Sequence, residues 1–306
     1  MLLHIAAGAL IALAPPQGTD TTFAVSPAHR LKVADFGGEV RIRTWERNEM
    51  RVQADHSRRE HVVVEQTGTE VRIRPSSWSP DFEFDIEGDN VDVSMRFEGA
   101  RAPAMVDYEI IVPVSMPIDV AGLFTDVTIE GPVGEVNVRV LEGDVEVIGA
   151  RGAVSARTGE GDVTIEDVQG ALRLSSIDGE IQVSNASGEI TAETTDGDIT
   201  LEDVRATSVE LESVDGDLWY SGTLSAQGFY SFITHDGGVT LEIPRSASAR
   251  VSVATWDGDL ATDFSVQVPE RLRGRRFEFT LGAGGAQIEI EAFDGDIEIN
   301  YYQPGE

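Results

Sequence analysis

The stretch Asp178-Gly179-Glu180-Ile181-Gln182-Val183, followed by Asp196-Gly197-Asp198-Ile199-Thr200-Leu201, contains the rule by which most of this chain is built. An acidic residue, a glycine, a second acidic residue and an apolar residue open a short run in which apolar and polar positions alternate. The unit recurs around Gly143, Gly161, Gly179, Gly197, Gly216, Gly237, Gly258 and Gly295, at steps of 18, 18, 18, 19, 21, 21 and 37 residues. A second glycine falls midway, at Gly134, Gly152, Gly170 and Gly188, so each turn joins two units of about nine residues.

Alternation with a period of two is the signature of a strand, whose successive side chains point to opposite faces. Two residues beyond each main glycine stand Val145, Val163, Ile181, Ile199, Leu218, Val239, Leu260 and Ile297. Four beyond it stand Val147, Ile165, Val183, Leu201, Tyr220, Leu241, Thr262 and Ile299. These read as inward columns. The residues between them, Glu146, Thr164, Gln182, Thr200, Trp219, Thr240, Ala261 and Glu298, read as facing solvent. Strands this short cannot bury a face alone, but stacked at about 4.8 Å per turn they share a continuous core. The fold predicted is all-β: a parallel β-solenoid, or β-helix, over residues 122–306. A β-sandwich also spaces its strands at about 8 to 12 residues, yet it has no need for residue types that match column by column.

Residues 23–121 read as an N-terminal β-strand module that caps or begins the solenoid, with strands at Glu39–Thr44, His61–Glu65, Glu70–Arg74, Asn90–Phe97 and Tyr108–Val112. Residues 1–22 read as a leader. The apolar run Leu2–Ala14 closes on Ala12-Leu13-Ala14, the small-residue pattern of a signal peptide, although no Lys or Arg precedes it and Pro15 disfavours cleavage directly after Ala14. No segment has the length of about 18 apolar residues that a spanning helix needs, so no transmembrane segment is expected in the mature chain. Export to the periplasm, envelope or exterior follows.

With 54 acidic against 23 basic residues, the formal charge is −31. That charge opposes nucleic acid and anionic membranes as partners, and leaves protein surfaces, cationic groups, divalent metals and neutral glycans. The excess is concentrated: residues 23–121 hold 12 basic and 18 acidic side chains, whereas residues 122–243 hold 5 and 24. There is no cysteine, which removes disulfides, thiolate metal sites and cysteine nucleophiles.

The ordered series Gly38-Glu39-Val40-Arg41-Ile42, Trp45, Arg51-Val52, Tyr108-Glu109-Ile110-Ile111-Val112-Pro113, the Gly-acidic-apolar turns, Leu241-Glu242-Ile243-Pro244 and Phe293-Asp294-Gly295-Asp296-Ile297 resembles the bacterial putative-adhesin family, a β-strand-repeat domain of unknown function. The resemblance covers nearly everything after the leader. It implies an envelope or extracellular β-solenoid and brings no catalytic residues with it. The step from Gly258 to Gly295, which contains Arg271, Arg273, Arg275 and Arg276, departs from the simple repeat.

Two acidic columns flank the glycines and are the most suggestive candidate site, represented in the central turns by Asp178, Glu180, Asp196, Asp198, Asp215 and Asp217. Like charges repeating at about 4.8 Å repel by about 0.9 kcal/mol per pair in water and about 3.5 at an effective dielectric of 20. Solvent and salt relieve this, or bound Ca²⁺ does, since hard carboxylate oxygens suit that ion. Ordinary Asp-Gly turn chemistry accounts for the same residues, and the nonapeptide of calcium-bound β-rolls is absent. Trp219 is the candidate ligand-binding residue, because the alternation turns its indole outward where it can stack on a sugar or anchor a protein. Its alternative is packing beneath Phe229, Tyr230 or Phe232. His235 shares a column with Val214 and Trp256 and reads as packing or turn capping. No nucleophile elbow or His-Glu-x-x-His zinc motif occurs. The leading functional reading is a non-enzymatic adhesin-like binding or structural protein. A β-helix carbohydrate-active enzyme, a lyase or hydrolase, is the alternative.

Overall fold

The computed structural model describes residues 18–58, 60–78, 83–87, 90–94, 104–266 and 275–302, and every regular element among them is a β-strand. No helix in the described residues is long and apolar enough to cross a membrane. The run Leu2–Ala14 lies outside the described residues, as do Arg271 and Arg273. The chain divides into two compact units, Met1–Gly143 and Asp144–Glu306.

In the second unit each turn supplies two strands, which form two files. One file contains Val154–Glu160, Leu172–Ser175, Ser187–Asp196, the second half of Ile199–Asp215, and Phe229–Asp236. The other contains Val145–Ile148, Val163–Glu166, Ile181–Ser184, the first half of Ile199–Asp215, Leu218–Gly222 and Val239–Ile243. Within each file neighbours run parallel. Val163 lies opposite Ile181, Ile181 opposite Ile199, Ile199 opposite Leu218 and Leu218 opposite Val239. All five are buried, so the inward column read from the alternation is one continuous strip of core.

The corners explain the glycines. Gly197 has φ 149°, and a Cβ placed on it would lie 2.3 Å from the carbonyl oxygen of Gly179 in the turn before. At the opposite corner Gly149, Asp167, Asn185 and Asp203 adopt φ of 84°, 56°, 50° and 53°. Asp and Asn tolerate this left-handed region because their short polar side chains bond locally. The buried residues that follow, Ala150, Val168, Ala186 and Val204, turn the chain back into the core. Where the turn lengthens to 21 residues, larger side chains fill it: Tyr220 meets Tyr230 and Phe232 edge-on at 6.0 and 5.7 Å.

The last turns do not stack in chain order. Ala286–Asp294 pairs in parallel with Phe229–Asp236 on one side and with Ala249–Asp257 on the other. Ile297–Tyr301 likewise sits between Val239–Ile243 and Leu260–Thr262. The turn of Gly295 is therefore inserted between those of Gly237 and Gly258. This accounts for the long final step, within which Arg275–Leu281 runs antiparallel on Ala249–Asp257.

The first unit also contains an inserted strand. Arg30–Trp45 lies parallel to Ile118–Glu130 on one side. On the other side its two halves run parallel to Glu70–Pro75 and Val106–Pro113. Val136–Glu142 continues the parallel stack on Ile118–Glu130. The remaining strands are antiparallel: Val62–Gln66 on Glu70–Pro75, Glu49–His56 on Val106–Pro113, and Thr19–Ala24 on Glu49–His56. Glu83–Glu87 and Asn90–Ser94 form a separate antiparallel pair. Parallel stacking is thus already present within residues 23–121, and a strand begins inside the span 1–22.

Candidate functional site

Three columns of side chains in the second unit decide what the surface can do. The column that follows the glycines holds backbone amides. Asp144 Oδ1 accepts from the amide of Asp162 at 2.9 Å, and Asp162 Oδ1 from that of Glu180 at 2.9 Å. Asp198 Oδ1 accepts from Asp217 at 2.8 Å, Asp217 Oδ1 from Gly238 at 2.7 Å, and Asp296 Oδ1 from Asp259 at 2.8 Å. Each carboxylate reaches one turn along the stack, where a charge-assisted bond to a backbone amide offsets part of the repulsion between neighbours. Glu180 is longer and instead accepts from Gln182 Nε2 at 3.0 Å. Gly238, the one gap in the column, supplies the amide that Asp217 holds.

A column three residues before the glycines lies inside the corner. Ser176 Oγ donates to Gly161 O at 3.1 Å, Thr194 Oγ1 to Gly179 O at 3.2 Å and Ser213 Oγ to Gly197 O at 3.2 Å. Thr234 Oγ1 donates to Gly216 O at 2.9 Å and Thr255 Oγ1 to Gly295 O at 3.2 Å. These five buried hydroxyls each tie a glycine corner to its neighbour; at Gly295 the same position is Ala292. The sequence carried this signal as a Ser/Thr at a constant offset, which the charge pattern beside it obscured.

The column that precedes the glycines is exposed, like the carboxylates that follow them. Asp178, Asp196, Asp215, Asp236 and Asp294 occupy matching positions in successive turns with their side chains in solvent. The six residues Asp178, Glu180, Asp196, Asp198, Asp215 and Asp217 thus come together over three adjacent turns. Among the described residues no group of three or more His, Asp or Glu side chains converges in a metal-binding arrangement.

Trp219 lies between Thr200 and Thr240, half-buried on the outward side. Tyr230 and Phe232 are buried against Tyr220 on the inner side. A larger aromatic feature stands elsewhere. Val214, His235, Phe293 and Trp256 hold the same position in four consecutive turns, one residue before the exposed Asp column. The His235 ring stacks on Phe293 at 4.7 Å and 16°, and Phe293 on Trp256 at 6.0 Å and 4°. His235 and Trp256 are not neighbours, as chain order had implied, because the inserted turn puts Phe293 between them.

In the first unit the polar surface is built differently. Arg30 bridges Asp119 at 2.8 Å and Glu135 at 2.9 Å, Lys32 pairs with Glu70 at 2.9 Å, and Arg43 with Glu130 at 3.0 Å. Inside it, Asp35 is wholly buried. Thr125 Oγ1 donates to its Oδ2 at 3.3 Å, while Oδ1 has no partner. Burial pushes this carboxyl up to about 7, against the pull of hydrogen bonds from Thr125, Phe36 and Gly37. Burial likewise raises the Tyr108 phenol, whose hydroxyl also lacks a partner. Shifted groups mark active sites only where substrate can reach them, and Asp35 is closed to solvent.

No curated protein matches this chain. A solved structure titled as a "putative cell adhesion protein" from Clostridium sporogenes ATCC 15579 aligns with 93% of this chain and 99% of its own, at 11% identity and a TM-score of 0.21. The family model described as Toastrack DUF4097 matches residues 29–300, nearly the whole of the stacked architecture, and the chain belongs to that family.

Proposed function

We propose that this chain is an exported, non-enzymatic binding or structural protein of the cell envelope, in which a stiff solenoid displays side chains in fixed columns. The carrying observation is the engagement of the column that follows the glycines. Asp144, Asp162, Asp198, Asp217 and Asp296 each hold an amide of the adjacent turn. A glycoside hydrolase needs a carboxylate pair free to donate and accept protons across a bound sugar. Carboxylates fixed to backbone amides are part of the fabric instead. The apolar run Leu2–Ala14 supports export, and the formal charge of −31 supports a neutral or cationic partner surface.

Two measurements test this reading. Incubation of the protein with neutral and acidic polysaccharides is expected to yield no new reducing ends and no unsaturated products over a day, and time-dependent cleavage would replace this reading with the carbohydrate-active enzyme. Fractionation of the producing cell is expected to place the chain outside the cytoplasm. Recovery only in the cytosol would overturn the envelope assignment.

A further inference from the structure

Among the described residues the exposed large apolar side chains are few, and most of those in solvent collect at one place. Val214 is 48% exposed, Ile233 39%, Phe293 50% and Trp256 60%. All four lie in consecutive turns of one file, with Glu212 and Glu291 on either side of Ile233. Contiguous exposed apolar surface on a soluble protein marks an interaction site. Four turns span about 14 Å, the length of about ten residues of helix.

We propose that this corner docks a basic amphipathic segment of a protein partner, with the segment's apolar face on Val214, Ile233, Phe293 and Trp256 and its Lys or Arg side chains on the surrounding carboxylates. The inference rests on the non-enzymatic binding reading and names the site and partner chemistry. Two observations select this occupant. First, the rings of His235, Phe293 and Trp256 are stacked on one another, so both faces of Phe293 and one face each of His235 and Trp256 are covered, and the corner presents more ring edge than open face. A sugar ring stacks on an open aromatic face, whereas aliphatic side chains pack against edges as readily as faces. Second, the rim is mostly acidic: Glu212, Asp215, Asp236, Asp294 and Asp257 are exposed around the apolar centre, and its one cation among the described residues on that side, Arg276, is paired with Glu291. Residues 144–306 hold 31 acidic and 10 basic side chains in all. An apolar centre within a charged rim is the usual anatomy of an interface, and the sign of this rim calls for a cationic partner.

The test uses the full chain and a synthetic peptide of about 14 residues, built from Leu and Lys with the Leu on one helical face. Its controls are a scrambled peptide of equal composition and a Leu/Glu peptide. Binding is read by calorimetry at about 0.15 M salt, where long-range charge effects are screened. The patterned Leu/Lys peptide is expected to bind, and the Trp256→Thr/Phe293→Thr double variant to weaken it at least tenfold. Thr195 occupies the same column, so threonine is compatible with the fold, and an unchanged melting temperature checks this. Equal binding of the scrambled peptide, or equal binding to the double variant, would overturn the site. So would binding of a neutral oligosaccharide or concentration-dependent self-association, either being lost in the double variant, in place of peptide binding. Polysaccharide cleavage in the same samples would defeat the non-enzymatic reading separately, whatever the peptide does.

Discussion

Gly197 shows at the scale of one residue why the repeat is written around glycine. Its neighbour along the stack approaches so closely that a methyl group there would meet the Gly179 carbonyl at 2.3 Å, and its φ of 149° is one that side-chain-bearing residues avoid. The atoms it would meet, Gly179 O and C and Glu180 N, are all backbone, which leaves no flexible side-chain end to move aside. Gly197→Ala is therefore expected to cost about 3 kcal/mol or more, read as a drop in the denaturation midpoint. A variant within about 0.5 kcal/mol of the parent would mean that the turns do not approach this closely. Asp35 raises a different residue-scale question, because its carboxyl titrates at about 7 when folded against an ordinary 3.8. Burial favours the proton, so the folded state binds it more tightly than the unfolded chain. The contribution to stability is full below pH 3.8, declines as pH rises, and is lost above about 7, a total of about 4 kcal/mol. Asp35→Asn cannot ionise. Relative to the parent, it is expected to gain stability at pH 8 and to gain none at pH 4, measured by chemical denaturation. A difference independent of pH would refute the assignment.

At the scale of strands and turns, the columns were legible and the order of the last turns was not. Alternation fixes which side chains enter the core, because a shift by one residue would expose all of them. Thus Ile181, Ile199 and Leu218 could be placed in one column from their spacing alone. Spacing carries no information about which turn lies beside which once chain neighbours separate. Chain order puts Leu260 between Val239 and Ile297, with Ile297 at the end. The structure puts Ile297 between Val239 and Leu260, wholly buried, and leaves Leu260 half-exposed. The exposed aromatic column was missed for the same reason, since Phe293 joins His235 and Trp256 only through this insertion. The buried Asp35 was hidden too, because alternation from Leu31 and Val33 puts it on the inward face while its acidic side chain breaks the apolar pattern by which that face is recognised. The two orders give opposite expectations for a pair of variants. Ile297→Asp buries a charge between two turns and should unfold or aggregate the second unit. Leu260→Asp, on the last turn of its file, should lower the melting temperature only modestly. The reverse ranking in thermal melts would restore chain order.

For the whole molecule the governing quantity is the formal charge of −31, which both limits the partners and threatens the fold. The first unit meets the threat with cross-strand ion pairs such as Arg30 with Asp119 and Glu135. The second has few cations and meets it with backbone amides, leaving Asp178, Asp196 and Asp215 in solvent. Two agents can screen what is left. If salt does so, NaCl and CaCl₂ at equal ionic strength should raise stability about equally, because screening depends on ionic strength rather than on the ion. If the six carboxylates Asp178, Glu180, Asp196, Asp198, Asp215 and Asp217 bind calcium, stability should climb with RT ln(1 + [Ca²⁺]/Kd), by about 2.7 kcal/mol at a hundredfold excess over Kd. We propose the first, since Asp198 and Asp217 each already commit Oδ1 to an amide of the adjacent turn, which leaves fewer oxygens to coordinate a cation. Melting curves in matched NaCl and CaCl₂ are expected to superimpose. A saturable calcium isotherm by calorimetry, abolished by Asp196→Asn with Asp198→Asn, would instead make the ladder a calcium site and the protein's stability a function of calcium concentration.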